Sequence, residues 1–244
     1  MRLSAALLAV TELTPVVRDE MFALMDEHYD NAQRHVFATD LAEKRWAILV
    51  HDPATARLCG FTTLTLLDAE VDGRPVKALF SGDTIIHRDC WGDHALSRIW
   101  GRFVFRLMEA HADEEFYWFL ISQGYKTYRY LPIFFHEFYP RYDAATPGRV
   151  RAVLDTLARQ RYAGNYDATA GVIRATPCQY RLRAGVADVT AERLRDLHVR
   201  FFQTRNAGHP RGDELCCLAA LTPDNFTRAA YRVIRPELMP AETS

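Results

Sequence analysis

Apolar positions alternate or recur at helical spacing through the first 143 residues and divide them into strands and helices. Weak alternation over 3–12 predicts a strand. Thr14 and Pro15 predict the cap and first turn of a helix that ends near His28. The remaining predicted elements are a helix near 32–44, strands at 45–52, 58–71 and 76–87, a helix from Asp93 to about Ala112, a strand at 115–122, and a helical segment at 125–142 kinked by Pro132.

Two turns separate the strands of this series. Asp72-Gly73 lies between two apolar runs and is a hairpin signal. Arg88–Gly92 ends the strand at 76–87, and Asp93 can cap the helix that follows. The order is therefore strand, two helices, three antiparallel strands, helix, strand and helix, which predicts an α+β fold.

After Asp143 the pattern loosens, although it still contains regular elements. The predicted elements are a helix at 147–162, strand-like pieces at 170–174 and 178–183, a helix at 189–203, a polar loop at 205–214, a short apolar element at 215–221, and a helical turn near 223–231. We expect one domain over 1–244, in which 1–143 forms the core and 144–244 completes the sheet and the acceptor site.

Composition narrows the classes of function. The chain has 244 residues, 49% hydrophobic and 25% charged, with a net charge of −1, so no basic field predicts nucleic acid as a partner. Five cysteines without a CxxC spacing argue against zinc and against a disulfide framework, and we expect no metal. The apolar stretch Ala5 to Val10 is too short for a signal peptide, and no run is long enough to span a membrane. The sequence predicts a soluble, cytoplasmic protein.

The segment DTIIHRDCWGDHALSRIWGRFVFRLMEA, followed by EEFYWFLIS, resembles the GNAT superfamily of N-acyltransferases. In that family a Gln/Arg-x-x-Gly-x-Gly/Ala turn faces the pyrophosphate of acyl-coenzyme A, because free N–H groups at a helix start attract anions. Gly92 stands for the first glycine, His94 replaces the second, and Arg88 lies nearby. The resemblance implies a mixed, mostly antiparallel twisted sheet flanked by helices, with a C-terminal extension, and implies that Arg88, Gly92, Asp93 and His94 bind the donor.

Two acids in this turn depart from the family pattern. Asp89 and Asp93 should repel a nucleotide pyrophosphate. The pantetheine arm of an acyl carrier protein has one phosphate and no nucleotide, which suits such a turn. The expected donor is therefore an acyl carrier protein or acyl-CoA. The arrangement resembles acyl-homoserine lactone synthases, long-chain N-acyl amino acid synthases, and the GNAT-like enzymes that fatty-acylate Lys or Orn side chains of ribosomal peptides.

The strand at 76–87 holds the first catalytic candidates. An amine that attacks a thioester must lose a proton to a base. Asp83 and His87 are four residues apart, share a face of a regular strand, and could act as base and orienter or be ordinary polar side chains. Gly82 predicts a bulge that re-aims Asp83. The resemblance implies that Ile85 and Ile86 offer backbone groups to the pantetheine amides.

Further candidates lie at the end of the strand at 115–122 and beyond. Ser122 sits at a strand end, where sites are common in open sheets. Tyr128 is the candidate that protonates the leaving thiolate, a role implied by the resemblance. The polar loop contributes His209, Asp213 and Glu214, either as substrate-binding residues or as parts of a solvated connector.

Three functions remain open on the sequence. The first is transfer of a fatty acyl group to an amine, such as a Lys or Orn side chain of a precursor peptide. The second is acetyl-CoA-dependent acetylation of a small amine or protein. The third is a non-catalytic thioester-binding module, which His94 and Asp93 in the turn make conceivable.

Overall fold

A computed structural model describes residues 3–177 and 179–234. Its strands are β1 (Ser4–Ala9), β2 (Tyr29–Asp30), β3 (Trp46–His51), β4 (Leu58–Val71), β5 (Arg74–Ile86), β6 (Glu115–Ser122), β7 (Tyr166–Asp167), β8 (Val172–Ile173), β9 (Arg181–Leu182) and β10 (Glu214–Ala220). Its α-helices are α1 (Pro15–His28), α2 (Arg34–Ala42), α3 (Ala95–Ala110), α4 (Tyr125–Tyr128), α5 (Tyr130–Phe134), α6 (Gly148–Tyr162), α7 (Leu197–Arg205) and α8 (Arg228–Ile234).

Eight strands of the described residues form one sheet in the order β1-β3-β4-β5-β6-β10-β8-β7, and β2 pairs with β9 separately. Every pair in the large sheet is antiparallel except β5 with β6, which the crossover through α3 makes parallel. The hairpin between β4 and β5 turns at Asp72 and Gly73, both with positive φ, as predicted. The predicted α+β fold class is confirmed.

Strands β5 and β6 separate partway along their length. Their pairing runs from Val76 opposite Glu115 to Ser81 opposite Leu120 and stops there. Beyond this point β5 continues beside β4 to Ile86, while β6 continues beside β10. The two strands therefore leave a split in the middle of the sheet, and the residues after Ser81 line it.

Helices cover both faces of the sheet. On one face α3, α4, α5, α7 and α8 pack over side chains such as Leu79, Trp118 and Cys217. On the other face α1 and α2 pack over Phe61 and Ile85, and α6 packs over residues that include Phe80. Burial of these apolar faces, at roughly 25 cal/mol per Å², is the main force that holds the layers together.

The predicted helix at 125–142 is wrong beyond Phe134. After α5 the chain extends along the outer side of β10, where Tyr139 and Leu218 exchange backbone hydrogen bonds of 2.8 and 2.7 Å. A helix there would leave the buried backbone of Leu218 unpaired. The predicted helix at 189–203 is likewise shorter: Asp196 caps α7 by accepting from the His198 N–H, so the regular helix starts at Leu197.

No helix within residues 3–177 and 179–234 has the length and apolar character needed to cross a membrane.

Candidate active site

A bulge in β5 places an acidic side chain at the mouth of the split. Gly82 and Asp83 together oppose the single residue Thr63 of β4. A Cβ atom at position 82 would lie 2.6 Å from the Thr63 hydroxyl oxygen and 2.8 Å from Cε of Lys44, so only glycine fits. The bulge predicted from Gly82 is confirmed, and it turns Asp83 toward α2.

Asp83 lines a cavity of about 340 Å³. The cavity runs from the turn at Cys90–Asp93, past the split, to the inner faces of α2 and α6. Both strands that border the split contribute, β5 through its last five residues and β6 through Ile121. The turn at the start of α3 and the acidic group at the bulge therefore share one cavity.

The Asp83 carboxyl is half-buried and held in place. The Tyr180 hydroxyl donates to Asp83 Oδ1 at 3.2 Å. Burial, followed by the negative charge of Asp40, raises the pKa of Asp83 to about 6, although Lys44 and the hydrogen bond from Tyr180 oppose the shift. At neutral pH the carboxyl is mostly ionised yet has a pKa close enough to 7 to accept a proton from a substrate.

Tyr180 is positioned by the side chain that follows β6. Gln123 Nε2 donates to the Tyr180 carbonyl at 3.3 Å, and its Oε1 accepts from the Leu182 N–H at 2.7 Å. This amide therefore ties β9 to the end of β6. It also fixes the tyrosine that contacts the Asp83 carboxyl.

A second buried acid, Glu214, enters the cavity from the far side of β6. It is the first residue of β10, and it lines the same cavity as Asp83. Burial and the negative charges of Asp83 and Asp40 raise the pKa of Glu214 to about 8. At pH 7 Glu214 is mostly protonated while Asp83 is mostly ionised. Such a divergence between two neighbouring acids is characteristic of acid–base sites.

His87 faces the same side as Asp83 but does not contact it, so the predicted pairing of the two is wrong. Four residues of strand span about 13 Å, and Ile85 lies between them. His87 Nε2 is 3.1 Å from Glu27 Oε1, and its Nδ1 accepts from the Asp89 N–H at 3.2 Å. His87 therefore ties the end of β5 to α1, and it is absent from the described lining of the cavity.

The turn after β5 is built largely as its sequence indicates. Gly92 has a φ of 92°, a conformation that favours glycine. The predicted cap is off by one residue, because His94 is the N-cap of α3 and forms no side-chain cap bond. Asp93 Oδ1 accepts from the N–H of Ala95, the first residue of α3, at 2.6 Å, and Asp93 Oδ2 accepts from the Leu3 N–H at 3.3 Å. Gly92 and Asp93 line the cavity, whereas Arg88 and His94 are not in its described lining.

A cationic side chain that the sequence analysis missed stands over this turn. Lys126 Nζ lies 3.2 Å from the centre of the Trp91 ring. Burial, then the positive charges of Arg193 and Arg88, lower the pKa of Lys126. Lys126, Arg88 and Arg193 are therefore three cations near the N-terminal end of α3.

Of the two isoleucines expected to offer backbone groups, only Ile86 turns them toward the split. The His87 N–H donates to the Cys59 carbonyl at 2.8 Å, and hydrogen-bonded pairs alternate along an antiparallel ladder. Ile85, opposite Phe61, therefore directs its backbone to β4. The Ile86 carbonyl already accepts from Trp91 Nε1 at 2.8 Å, which leaves its N–H on the open side.

Tyr128 and Ser122 lie away from the cavity. The Tyr128 side chain is completely buried against α7, and its hydroxyl donates to the Pro140 carbonyl at 3.0 Å. The Ser122 side chain is also fully buried, because this end of β6 is covered by β10. Tyr130, two residues further on, lines the cavity instead. We therefore move the candidate acid from Tyr128 to Tyr130.

Of the three candidates in the polar segment at 205–214, two have structural contacts and one lines the cavity. His209 packs on Phe202, with ring centres 5.5 Å apart. Asp213 accepts from Arg174 Nη1 at 2.8 Å and from the Ala175 N–H at 3.0 Å, so its carboxyl closes a loop. Neither belongs to the described lining of the cavity, in contrast to Glu214.

A smaller cavity of about 30 Å³ lies on the α3 side of the split. Thr84, Thr127 and Tyr130 line both cavities, so the two meet at the split. The remaining walls are mainly apolar and come from Leu96, Trp100, Trp118, Leu120 and Phe134. As it stands, this space holds a group no larger than about one or two water molecules.

No group of three or more His, Cys, Asp or Glu side chains in the described part of the chain is arranged to hold a metal ion.

No protein-family model matches the chain, and no curated protein sequence matches it. A conserved Enterococcus faecalis V583 protein described as a "Probable N-Acyltransferase" matches with 14% identity and a TM-score of 0.42, over 55% of this chain and 33% of that one. Saccharomyces cerevisiae N-myristoyltransferase with bound myristoyl-CoA matches with 13% identity and a TM-score of 0.37, over 49% of this chain and 31% of that one.

A GNAT family N-acetyltransferase from Escherichia coli in complex with CoA matches with 13% identity and a TM-score of 0.35, over 51% of this chain and 64% of that one. In these three matches this chain therefore covers from about a third to just under two thirds of the other protein. The fold itself is α+β, with a mixed, mostly antiparallel sheet flanked by helices, which is the arrangement that the resemblance in sequence implied.

Proposed function

We propose that the chain is an N-acyltransferase that moves an acyl group from a pantetheine thioester to an amine. The observation that carries the proposal is the position of Asp83, a half-buried carboxyl with a pKa of about 6 at the point where β5 and β6 separate. The same cavity reaches the glycine turn at the start of α3, where an anionic group of the donor can bind.

Three groups that line the cavity have a proposed part in this reaction. Asp83 accepts the proton of the attacking amine. The Ile86 N–H is available to the pantetheine arm in the split. Tyr130 stands where the split joins both cavities, and its hydroxyl can protonate the departing thiolate.

The donor is proposed in two forms. A carrier protein that bears a fatty acyl group is favoured by Asp89 and Asp93, because these acids repel the additional phosphates of a nucleotide. Acetyl-CoA is favoured by the small apolar cavity on the α3 side, which leaves room for a short acyl group only. The cations Lys126, Arg88 and Arg193 suit the phosphate of either donor.

The test is a transfer assay with the full chain and both donors. Acetyl-CoA and a fatty-acyl carrier protein are each incubated with n-butylamine, and amide product is measured by mass spectrometry. We expect product with one donor class, and a loss of about 100-fold or more in Asp83→Asn. The matched control is Asp113→Asn, an exposed carboxyl between α3 and β6, which should retain full activity.

Binding of either donor without amide product would refute the proposal. That result would favour a non-catalytic thioester-binding module. Full activity in Asp83→Asn would reject Asp83 as the base while leaving the transferase function in place.

A further inference from the structure

Glu214 is a buried carboxyl with no partner of its own. Its side chain lines the cavity, and the whole residue is only 7% exposed. Among the described residues, none donates a hydrogen bond to this carboxyl or forms an ion pair with it. A buried acid in this state either holds its proton or awaits a cation, because an unpaired charge is costly away from water.

The two cations beside Asp83 and Glu214 are already paired with other acids. Lys44, whose side chain is fully buried, donates to Asp40 Oδ2. Arg161 Nη2 lies 3.3 Å from Asp40 Oδ1 and 3.0 Å from Glu43 Oε2. Two cations and two carboxylates thus balance each other. Asp83 and Glu214 are two further carboxyl groups, without a paired cation, that face the cavity.

Aromatic rings complete the wall beside these two acids. Tyr29 and Tyr180 pack edge to face with ring centres 5.1 Å apart, and both line the cavity. Burial, then the negative charges of Asp83 and Glu214, raise the pKa of Tyr29, which lines the cavity with both acids. Carboxyl oxygens combined with the faces and hydroxyls of aromatic rings suit an alkylammonium ion.

We propose that Asp83 and Glu214 together bind the ammonium group of the acceptor, and that the acceptor is therefore a cationic primary alkylamine. The proposal deepens the acyltransferase function and rests on it for the reaction, although the binding itself can be measured without transfer. Glu214 binds and positions the ammonium, and Asp83 takes its proton once the donor is in place. Neutral amides and amines that carry a carboxylate beside the nitrogen fit this site poorly, since the two carboxyl groups would repel the latter.

Proton release is a consequence that can be measured. In the empty site Glu214 has a pKa of about 8 and holds a proton at pH 7. An ammonium ion beside it favours the ionised form, so binding at pH 7 should release up to about one proton per chain. The titratable and charged groups around Glu214 are His28 of α1, Tyr29 of β2, Asp40 of α2, Lys44 after α2, Asp83 of β5, Arg161 and Tyr162 of α6, and Tyr180 before β9.

The experiment is calorimetric titration of the full chain with n-butylammonium chloride at pH 7, with 1-butanol as the neutral isostere. Each titration is repeated in two buffers of different ionisation enthalpy, so that proton release is counted. We expect n-butylammonium to bind at least about tenfold more tightly than 1-butanol and to release protons. Glu214→Gln should lose at least about tenfold in affinity and lose the proton release. Glu70→Gln, an exposed glutamate on β4, should match the wild type.

Equal affinity for n-butylammonium and 1-butanol, or binding without proton release, would overturn the proposal on the wild-type protein alone. This result does not depend on whether Glu214→Gln folds. Binding of the ammonium without acyl transfer would keep the site and reject the enzyme. Acyl transfer to amines without any preference for the cation would keep the enzyme and reject the site.

Discussion

The hydroxyl of Tyr180 donates a hydrogen bond of 3.2 Å to Asp83, a residue 97 positions earlier in the chain. The contact joins the C-terminal part of the chain to the bulge in β5. It also adjusts the acidity of the candidate base, because a hydrogen bond to a carboxylate favours the charged form.

Tyr180→Phe is therefore expected to raise the pKa of Asp83. A group with a higher pKa is ionised over a smaller pH range, so the acid limb of the kcat/KM profile for acyl transfer should move to higher pH. In the wild type this limb should lie near pH 6. Tyr142→Phe, at a half-exposed tyrosine, is the control and should leave the profile unchanged. A shift to lower pH in Tyr180→Phe would contradict the assignment.

The two tyrosines around α4 and α5 should respond in opposite ways to the loss of the hydroxyl. Tyr130→Phe is expected to slow acyl transfer by about 10-fold or more, because the leaving thiolate loses its proton donor. Tyr128→Phe should leave the rate unchanged and lower the free energy of unfolding by about 1 kcal/mol, because the Pro140 carbonyl loses its partner. Steady-state kinetics and urea denaturation of both variants measure the two effects. The reverse pattern would restore Tyr128 as the acid.

Glu214 should make the stability of the protein depend on pH. Its pKa is about 8 in the folded chain against an ordinary value of 4.5, so the folded state binds the proton more tightly. Its contribution is fully favourable below pH 4.5 and is lost as the pH rises toward and through 8. Glu214→Gln cannot ionise, so its free energy of unfolding should decline less between pH 5 and pH 9. Glu70→Gln should decline as the wild type does, and an equal decline in both variants would contradict the prediction.

Packing of α3 against α8 should tolerate no additional atom at Gly101. A Cβ atom there would lie 2.0 Å from Cγ2 of Ile234. We expect Gly101→Ala to destabilise the fold by about 1–3 kcal/mol, measured as a lower Tm. Gly148→Ala in α6 meets nothing within 4 Å and is the matched control, which should be neutral or slightly stabilising. Equal Tm values for the two variants would contradict this account of the interface.

Much of the fold could be predicted because it is recorded in local patterns. The hairpin at Asp72-Gly73 depends on neighbouring residues alone and is confirmed. The cap predicted at Asp93 is off by one residue, although the Asp93 carboxylate does accept from the first N–H of α3. The helix predicted beyond Phe134 failed because its helical spacing reflects contacts with distant partners, among them Leu218. Periodicity records that a side chain is buried, but it does not record what buries it.

Site residues could be predicted only where the local sequence carries a signal. The Gly82-Asp83 pair interrupts an alternating strand, which is a visible signal. Lys44 and Tyr180 gave no such signal, because they reach the cavity from the segment after α2 and from the segment before β9. Glu214 was assigned to a polar loop, yet it shares a sheet face with Cys216 and Leu218, two and four residues later. That spacing could have placed it in the sheet.

The bulge divides β5 into two parts with opposite alternation of side chains, called here its two phases. Even-numbered residues such as Ala78 and Phe80 face α6 before Gly82, whereas odd-numbered residues such as Asp83 and Ile85 face the same side after it. Removal of one residue anywhere else in a paired strand reverses every side chain on one side of the cut. Removal of Gly82 would instead merge the two phases and leave each remaining side chain on its own face. The bulge is thus where this strand could lose a codon without inverting the core, and the candidate base is one of its two residues.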